Sequence, residues 1–562
     1  MKKPKIKYDL VLFLLLMTFS FLPIIQEWTG VFNTKPLKGV IEPTPKPELS
    51  LDSYSENRYQ LQMEKYLSEN FGLREPVIRL YNQYLWSAFN KTYCNFIVPG
   101  KDGYLFYSVA VNMHYGTELL HHFNSNEDAI NHAEKELRIM NKLRHVLKDY
   151  GIEFVTFIAP DKPEIYPQYL PRRDTDTTTV DLTDYYSRRL NELGFPFINM
   201  TDWFVSMKDT VSFPLFPKTD SHWRYSAVYA YDSLFRYINT LEGEAKFPTL
   251  HIGPTIAYES DKLEGDEETL NLLFRIRGDK TKYKSDITVE PDSTHRKPKV
   301  LFVGDSFIWS MSDFLPAPEI LADQEVWFYN NTAFIGFDNK KENVKEIDRL
   351  SHIFNSDYVV FYSAGHQWWE ATYGFAEDAL LQLCVSDSLF EATANYYVDK
   401  MRNQEDYSND TEEVLLNKAR TMLKYDPELI PGLGGNDMPT IRNTERINKI
   451  LTINEIRNDS DRLTKLKVYA SLNGITLDDA LYQEASLTLQ GKTLLQENFV
   501  IDTAVFIQLK IQETKEQMLQ DPKMIELIQQ KANEHGIPFD TMLEKDAQWV
   551  VNNKLENGKL FQ

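Results

Sequence analysis

With 562 residues, 42% hydrophobic, 13% aromatic and a formal net charge of -21, the chain is too long for one ordinary domain of about 100–200 residues and too apolar to be largely disordered. The acidic balance excludes nucleic acid as a main partner, because a phosphate backbone needs a basic face to neutralise it. Cys94 and Cys384 are the only cysteines, which excludes a cysteine-built metal centre and a disulfide scaffold, leaves one long-range disulfide open, and fits a chain with no expected metal or cofactor.

At the N-terminus Lys2, Lys3, Lys5 and Lys7 precede the apolar run 10–25, LVLFLLLMTFSFLPII. Basic-then-apolar is the order of an export signal or signal anchor, with the basic end left in the cytoplasm. Gln26, Glu27 and Trp28 follow in place of a small-residue cleavage site, so residues 1–30 predict an uncleaved anchor with Trp28 at the far interface. This makes the protein single-pass in the inner (cytoplasmic) membrane, with its folded part on the periplasmic, extracytoplasmic side. The opposing reading is a buried core helix, but a globular helix of this length shows a polar face and this run shows none. Residues 31–52 are proline-rich and predict an extended tether. Residues 54–91 read as amphipathic helix, and the turn-rich stretch 95–107 as a hairpin around Gly100 and Gly103.

Short apolar runs then recur at 154–158, 197–199, 300–303, 326–329 and 358–362, separated by helical stretches near 127–149, 179–193, 224–240 and 340–352. Strand–helix alternation predicts an α/β, doubly wound, mostly parallel sheet over 53–400. The charged stretch 245–295 breaks the rhythm and reads as a cap or insertion. Residues 401–440 read as a linker and 441–562 as an all-α C-terminal domain. In that domain 470–485 (ASLNGITLDDALYQEA) aligns with 532–547 (ANEHGIPFDTMLEKDA). The repeat predicts two helical hairpins, each with a glycine closing one helix (Gly474, Gly536) and an aspartate capping the next (Asp478, Asp540).

Two motifs carry chemistry. The first, 299–307 (KVLFVGDSF), is a buried strand running directly into Gly304, Asp305 and Ser306. A serine just past the carboxyl end of a central parallel strand lies where open α/β sheets place their ligand crevice, and Gly304 suits a sharp turn there. The second, 216–223 (FPKTDSHW), supplies Asp220 and His222 two residues apart. A serine hydroxyl is a poor nucleophile near neutrality and needs an imidazole base, itself oriented by a carboxylate. Taken alone, the second motif also admits a structural reading, with Asp220 or Thr219 as a helix cap and His222 as a surface residue, and Gly-Asp-Ser is common in turns.

The Gly-Asp-Ser-Phe block resembles that of SGNH hydrolases, and the Asp-x-His-Trp block, placed before the serine, is similar to that of the AlgJ/AlgX (DHHW) group, the alginate O-acetyltransferase-related proteins. ENFGLRE (69–75), VPGKDGYLFY (98–107), APDKPEIYPQYLP (159–171) and LEGDEETLNLL (263–273) extend the resemblance over roughly 55–370. The resemblance implies Ser306 as nucleophile, His222 as general base and Asp220 as its orienting partner. Trp223 is expected to wall the site against water. Asn330, Asn331 and Gly336 are positional candidates for an oxyanion hole, alongside backbone amides near Ser306. His366, Trp368 and Trp369 stand where the family carries a Glu-Arg ending, and are candidates for lining an acceptor site, although packing of the tryptophan pair is an equal reading. The helical tail does not resemble the carbohydrate-binding β-domain of AlgX, so alginate itself is not implied.

The expected function is O-acyl transfer, with acetyl as the group. Ser306 accepts it and a cell-surface or exported polysaccharide receives it. No phosphate-cradling glycine-rich loop is present for a cytoplasmic thioester, and the resemblance implies a multi-pass membrane-bound O-acyltransferase as acyl donor. A carbohydrate esterase with the same three residues is the alternative, with water as acceptor. A silent glycan-binding or scaffold protein is a third reading, whose mark would be loss of one of the three.

Overall fold

The computed structural model describes residues 8–39, 44–172, 179–260, 265–274, 276, 280–290, 296–402, 404, 407, 410–495 and 503–556. Its centre is a seven-stranded sheet. In chain order the strands are β1 (Glu153–Ala159), β2 (Phe197–Asn199), β3 (Lys299–Gly304), β4 (Asp323–Phe328), β5 (Thr332–Ile335), β6 (Lys340–Asn343) and β7 (Tyr358–Ala364). Their order across the sheet is β6-β5-β4-β3-β7-β1-β2, parallel from β4 to β2 and antiparallel at the β5 and β6 edge.

Helices cover both faces because alternate side chains of the inner strands are apolar on both sides. Leu301, Val303, Val359 and Phe361 enter one core, with helices Asn126–Lys148 and Phe375–Cys384. Val300, Phe302, Val360 and Tyr362 enter the other, with helix Ala227–Glu242. The α/β expectation, the N-terminal apolar helix and the helical C-terminal part are thus all present.

Several local expectations are corrected. Residues 340–352 are not one helix: β6 pairs antiparallel with β5, and only Arg349–Phe354 is helical. Residues 54–91 form separate helices, interrupted where Asn57 and Leu73 take positive φ. Residues 401–440 are no free linker. Helix Glu412–Tyr425 buries Leu415, Ala419 and Leu423 in the same core as helix Asn126–Lys148, and Glu428 bridges Arg138 at 2.7 Å and Lys142 at 2.9 Å. The proline-rich stretch has neither helix nor strand where described up to Ser50, with a short helix starting at Leu51, and it is pinned: the Lys38 amide donates to Asn271 Oδ1 at 2.8 Å and Pro36 O accepts from Arg79.

Helix Tyr8–Thr29 contains the segment Leu10–Thr29, long and apolar enough to cross a membrane. In the helical tail, Gly474 and Gly536 take matching positive φ, with Ile475 N and Ile537 N each donating 3.1 Å bonds to Ala470 O and Ala532 O. Asp478, however, is not the cap. Thr476 holds that position, its side chain accepting from Asp479 N. Cys94 and Cys384 are both free thiols, so no disulfide links them.

Candidate active site

The carboxyl ends of the adjacent strands β3, β7 and β1 converge on one cavity of about 180 Å³. Ser306 follows β3, His366 follows β7 and Asp161 follows β1. Ser306 opens a single 3-10 turn capped by Asp305, whose Oδ1 accepts from Phe307 N at 3.0 Å and whose Oδ2 accepts from Ala364 N at 2.7 Å. One buried carboxylate therefore ties the serine turn to the end of β7. Burial raises the Asp305 pKa, and these two amide bonds oppose the rise. Gly304 serves close approach, not a left-handed turn: a Cβ there would lie 2.0 Å from Tyr362 O on β7.

His222 reaches this turn from the loop before helix Ala227–Glu242. Its Nε2 lies 2.7 Å from Ser306 Oγ, and its Nδ1 lies 3.3 Å from Asp220 Oδ1. Asp220 is fully buried. It also accepts from the His222 amide at 3.1 Å and, on its other oxygen, from Arg224 Nε. Burial alone would raise the Asp220 pKa, but the hydrogen bond from His222 and the Arg224 charge outweigh it and hold the carboxyl well below its ordinary range. Burial would lower the His222 pKa; the bond to Asp220 and the charges of Asp220 and Asp266 outweigh it and raise it. The serine, the imidazole and the carboxylate expected from the two motifs thus stand in hydrogen-bonding sequence.

The other expected site residues divide. His366 lines the cavity. Trp223 does not: it is fully buried beneath the site, packed against Phe157, Phe204 and Tyr231, and its Nε1 donates to Phe307 O at 3.2 Å. It braces the histidine loop against the serine turn from below. Trp368 is likewise core, packed on Tyr186 and Phe361. Asn330 is committed elsewhere, donating to Tyr373 O at 3.1 Å and accepting from Arg349 at 2.9 Å. Asn331 is exposed in the β4–β5 turn, and Gly336 sits at the far end of β5 with its amide on Gln324 O; neither lines the cavity. Trp369 stacks on His122 at 3.7 Å, also away from the cavity.

Four more cavity residues had no role assigned from the sequence, although Asp161 and Lys162 lie in the quoted segment 159–171 and Asp266 in 263–273. Asp266, in the stretch read as a cap, accepts from Ser221 N at 2.7 Å, and burial followed by the nearby Asp220 raises its pKa. Lys162 is buried with its ammonium on the carbonyls of Leu105, Pro217, Lys218 and Asp220, at 2.6–2.9 Å. It fastens the 97–107 hairpin to the histidine loop, and burial lowers its pKa to about 7 against the charges of Asp266 and Asp220. Tyr329 lies beside Ser306 at the end of β4; burial, then Asp305, raises its pKa, so its hydroxyl keeps its proton. Asp161 pairs with His366.

Residues 97–344 match the family model described as SGNH hydrolase-like domain, acetyltransferase AlgX. Similar solved structures include the O-acetyltransferase domain of Pseudomonas putida AlgJ, with 17% identity and a TM-score of 0.32 over 49% of this chain and 92% of that one. Pseudomonas aeruginosa AlgX shows 15% identity and a TM-score of 0.34, covering 55% of this chain and 72% of that one. Bacillus cereus PatB1 shows 12% identity and a TM-score of 0.28, covering 43% and 92%. No curated protein matches the chain. Residues 97–344, somewhat less than half of the chain, are thus similar to an SGNH hydrolase-like domain of the acetyltransferase AlgX type.

Proposed function

We propose that this chain is a membrane-anchored, extracytoplasmic O-acetyltransferase that acts on a cell-surface or exported polysaccharide through an acyl-Ser306 intermediate. The observation that carries this reading is the 2.7 Å approach of His222 Nε2 to Ser306 Oγ, with Asp220 on the other ring nitrogen. The SGNH hydrolase-like, acetyltransferase AlgX family match supports the choice of acyl chemistry.

In the first half-reaction Ser306 Oγ attacks the acyl carbonyl carbon as His222 Nε2 takes its proton. Asp220 accepts from Nδ1–H and stabilises the imidazolium. The Ser306 amide and the Tyr329 hydroxyl stand as donors for the developing oxyanion. The imidazolium then protonates the leaving group, and the acyl-serine remains. In the second half-reaction a sugar hydroxyl gives its proton to His222, its oxygen attacks the acyl carbon, and Ser306 Oγ leaves with a proton returned from His222. The acetyl group is supplied across the membrane by a multi-pass membrane-bound O-acyltransferase, and helix Tyr8–Thr29 keeps the enzyme beside that donor.

Incubating the chain with p-nitrophenyl acetate, with and without oligosaccharides, and following products by mass spectrometry tests the reading. Acetyl groups delivered to saccharide establish the transferase. Release to water alone assigns the esterase, and no turnover by the unaltered chain leaves the scaffold reading.

A further inference from the structure

The mechanism above uses one imidazole, yet the cavity presents two. His366 Nδ1 lies 2.6 Å from Asp161 Oδ1, and the side chains of both residues are nearly buried, at 7% and 6% exposure. The pair spans the adjacent strands β7 and β1, on the same cavity wall as Ser306 and His222. With Nδ1 held by Asp161, the opposite ring nitrogen, Nε2, has no hydrogen-bond partner among the described residues.

The pair is also fixed in place. Asp161 caps helix Lys162–Ile165 in a reciprocal box with Glu164. Gly365 brings its backbone so near that a Cβ would lie 3.0 Å from Asp161 Oδ2 and 3.1 Å from Thr183 Oγ1. The Tyr107 ring meets the His366 ring edge-on at 5.3 Å. A buried carboxylate–imidazole pair is a poor source of stability, since the desolvation of both groups offsets their attraction. One that turns an uncommitted nitrogen into a reactive cavity is arranged as a ligand contact.

We propose that Asp161 and His366 form an acceptor-holding dyad: His366 Nε2 binds an oxygen of the carbohydrate next to the hydroxyl being acylated, and so directs the acyl group to sugar in preference to water. The proposal rests on the acyl-Ser306 reading. Both outcomes start from the same acyl-enzyme. Water needs no positioning, whereas a sugar hydroxyl competes with it only when held in line with the acyl carbon and His222. Burial would lower the His366 pKa, but Asp161 and then Asp305 outweigh it. As imidazolium the ring donates from Nε2 to a sugar oxygen, and as neutral imidazole with Nδ1–H on Asp161 it accepts at Nε2 from a sugar hydroxyl, so the contact is available in either form.

The test is the ratio of acetylated saccharide to free acetate, a quantity independent of how fast the adduct forms. The full chain in detergent is given p-nitrophenyl acetate with cellopentaose, chitopentaose and pentamannuronate. His366→Ala is expected to lower the ratio at least about tenfold and to raise the KM for saccharide, as loss of one well-placed hydrogen bond does. His366→Gln, which keeps a donor, restores part of it, and Asp161→Asn falls between. An unchanged ratio in all three variants, or loss of the adduct in all three, overturns the dyad proposal. Absence of adduct, or of any sugar transfer, in the unaltered chain overturns the transferase reading and the dyad with it.

Discussion

Gly265 presses on the Asp220 carboxylate so closely that no side chain fits between them: a Cβ on Gly265 would lie 2.1 Å from Asp220 Cγ. The cap stretch therefore does more than cross the sheet. It closes over Asp220, leaves that carboxylate without solvent contact, and delivers Asp266 to the Ser221 amide. With the Asp220 carboxylate itself removed from water, its hydrogen bonds to His222 and Arg224 are strengthened accordingly.

Gly265→Ala tests that contact. Gly265 has φ 55 and ψ -132, a conformation open to glycine alone, so the substitution adds backbone strain to the collision with Asp220. The rate of Ser306 acetylation is expected to fall at least roughly tenfold, or about 1.4 kcal/mol of barrier. A rate equal to that of the unaltered chain would show that the cap does not position the carboxylate.

Asp220→Asn removes the charge that orients and stabilises the imidazolium. Acylation should slow by roughly 10²–10⁴-fold. The pH profile carries the sign. His222 accepts a proton only when neutral, so the rate rises with pH as it deprotonates, and the raised His222 pKa places that limb above the ordinary imidazole value of about 6.5. In the Asn variant the limb moves to lower pH. Movement upward, or none, contradicts the assignment.

Lys162→Met leaves the carbonyls of Leu105, Pro217, Lys218 and Asp220 without their shared donor. Local destabilisation of about 2–4 kcal/mol is expected. Hydrogen exchange should show it in 97–107 and 217–222, with little change in the C-terminal helices. Uniform protection across the chain would refute the fastening role.

Glu428→Gln tests the docking of residues 401–440. Burial would raise the Glu428 pKa, but the bonds from Arg138 and Lys142 outweigh it and hold it down. A depressed carboxyl contributes stability that is present above its unfolded pKa, about 4.3, and is lost as pH falls through the folded value. The Gln variant should loosen helix Glu412–Tyr425 by about 1–3 kcal/mol, measured as faster proteolysis between 401 and 440 at neutral pH, and should flatten the acid dependence of that cleavage.

Ser306, His222 and Asp220 were legible because each sits in a short local pattern, a strand-terminal turn or a two-residue spacing. Asp266 and Asp161 were not, although the segments 263–273 and 159–171 that hold them carry the family resemblance, because their roles arise only when distant segments close on the cavity. Trp223 was expected to wall the site and instead packs beneath it, whereas for Trp368 the packing reading, weighed equally with an acceptor-lining one, is the one the fold bears out. Strand β6, Lys340–Asn343, is polar along its whole length as an edge strand can be, and so gives no alternation to separate it from a solvated helix. Residues 401–440 read as a linker because only the fold reveals the helices Phe375–Cys384 and Asp387–Arg402 against which Leu415 and Leu423 pack.

The central claim is that Ser306 carries the acyl group. Peptide mapping of the full chain after brief reaction with p-nitrophenyl acetate, beside Ser306→Ala, tests it most directly. The account predicts one acetyl group on the peptide containing Ser306, absent from the Ala variant and discharged when saccharide is added. An acetyl group of equal yield in the variant, or one that resides on a lysine or on His222 alone, would contradict it.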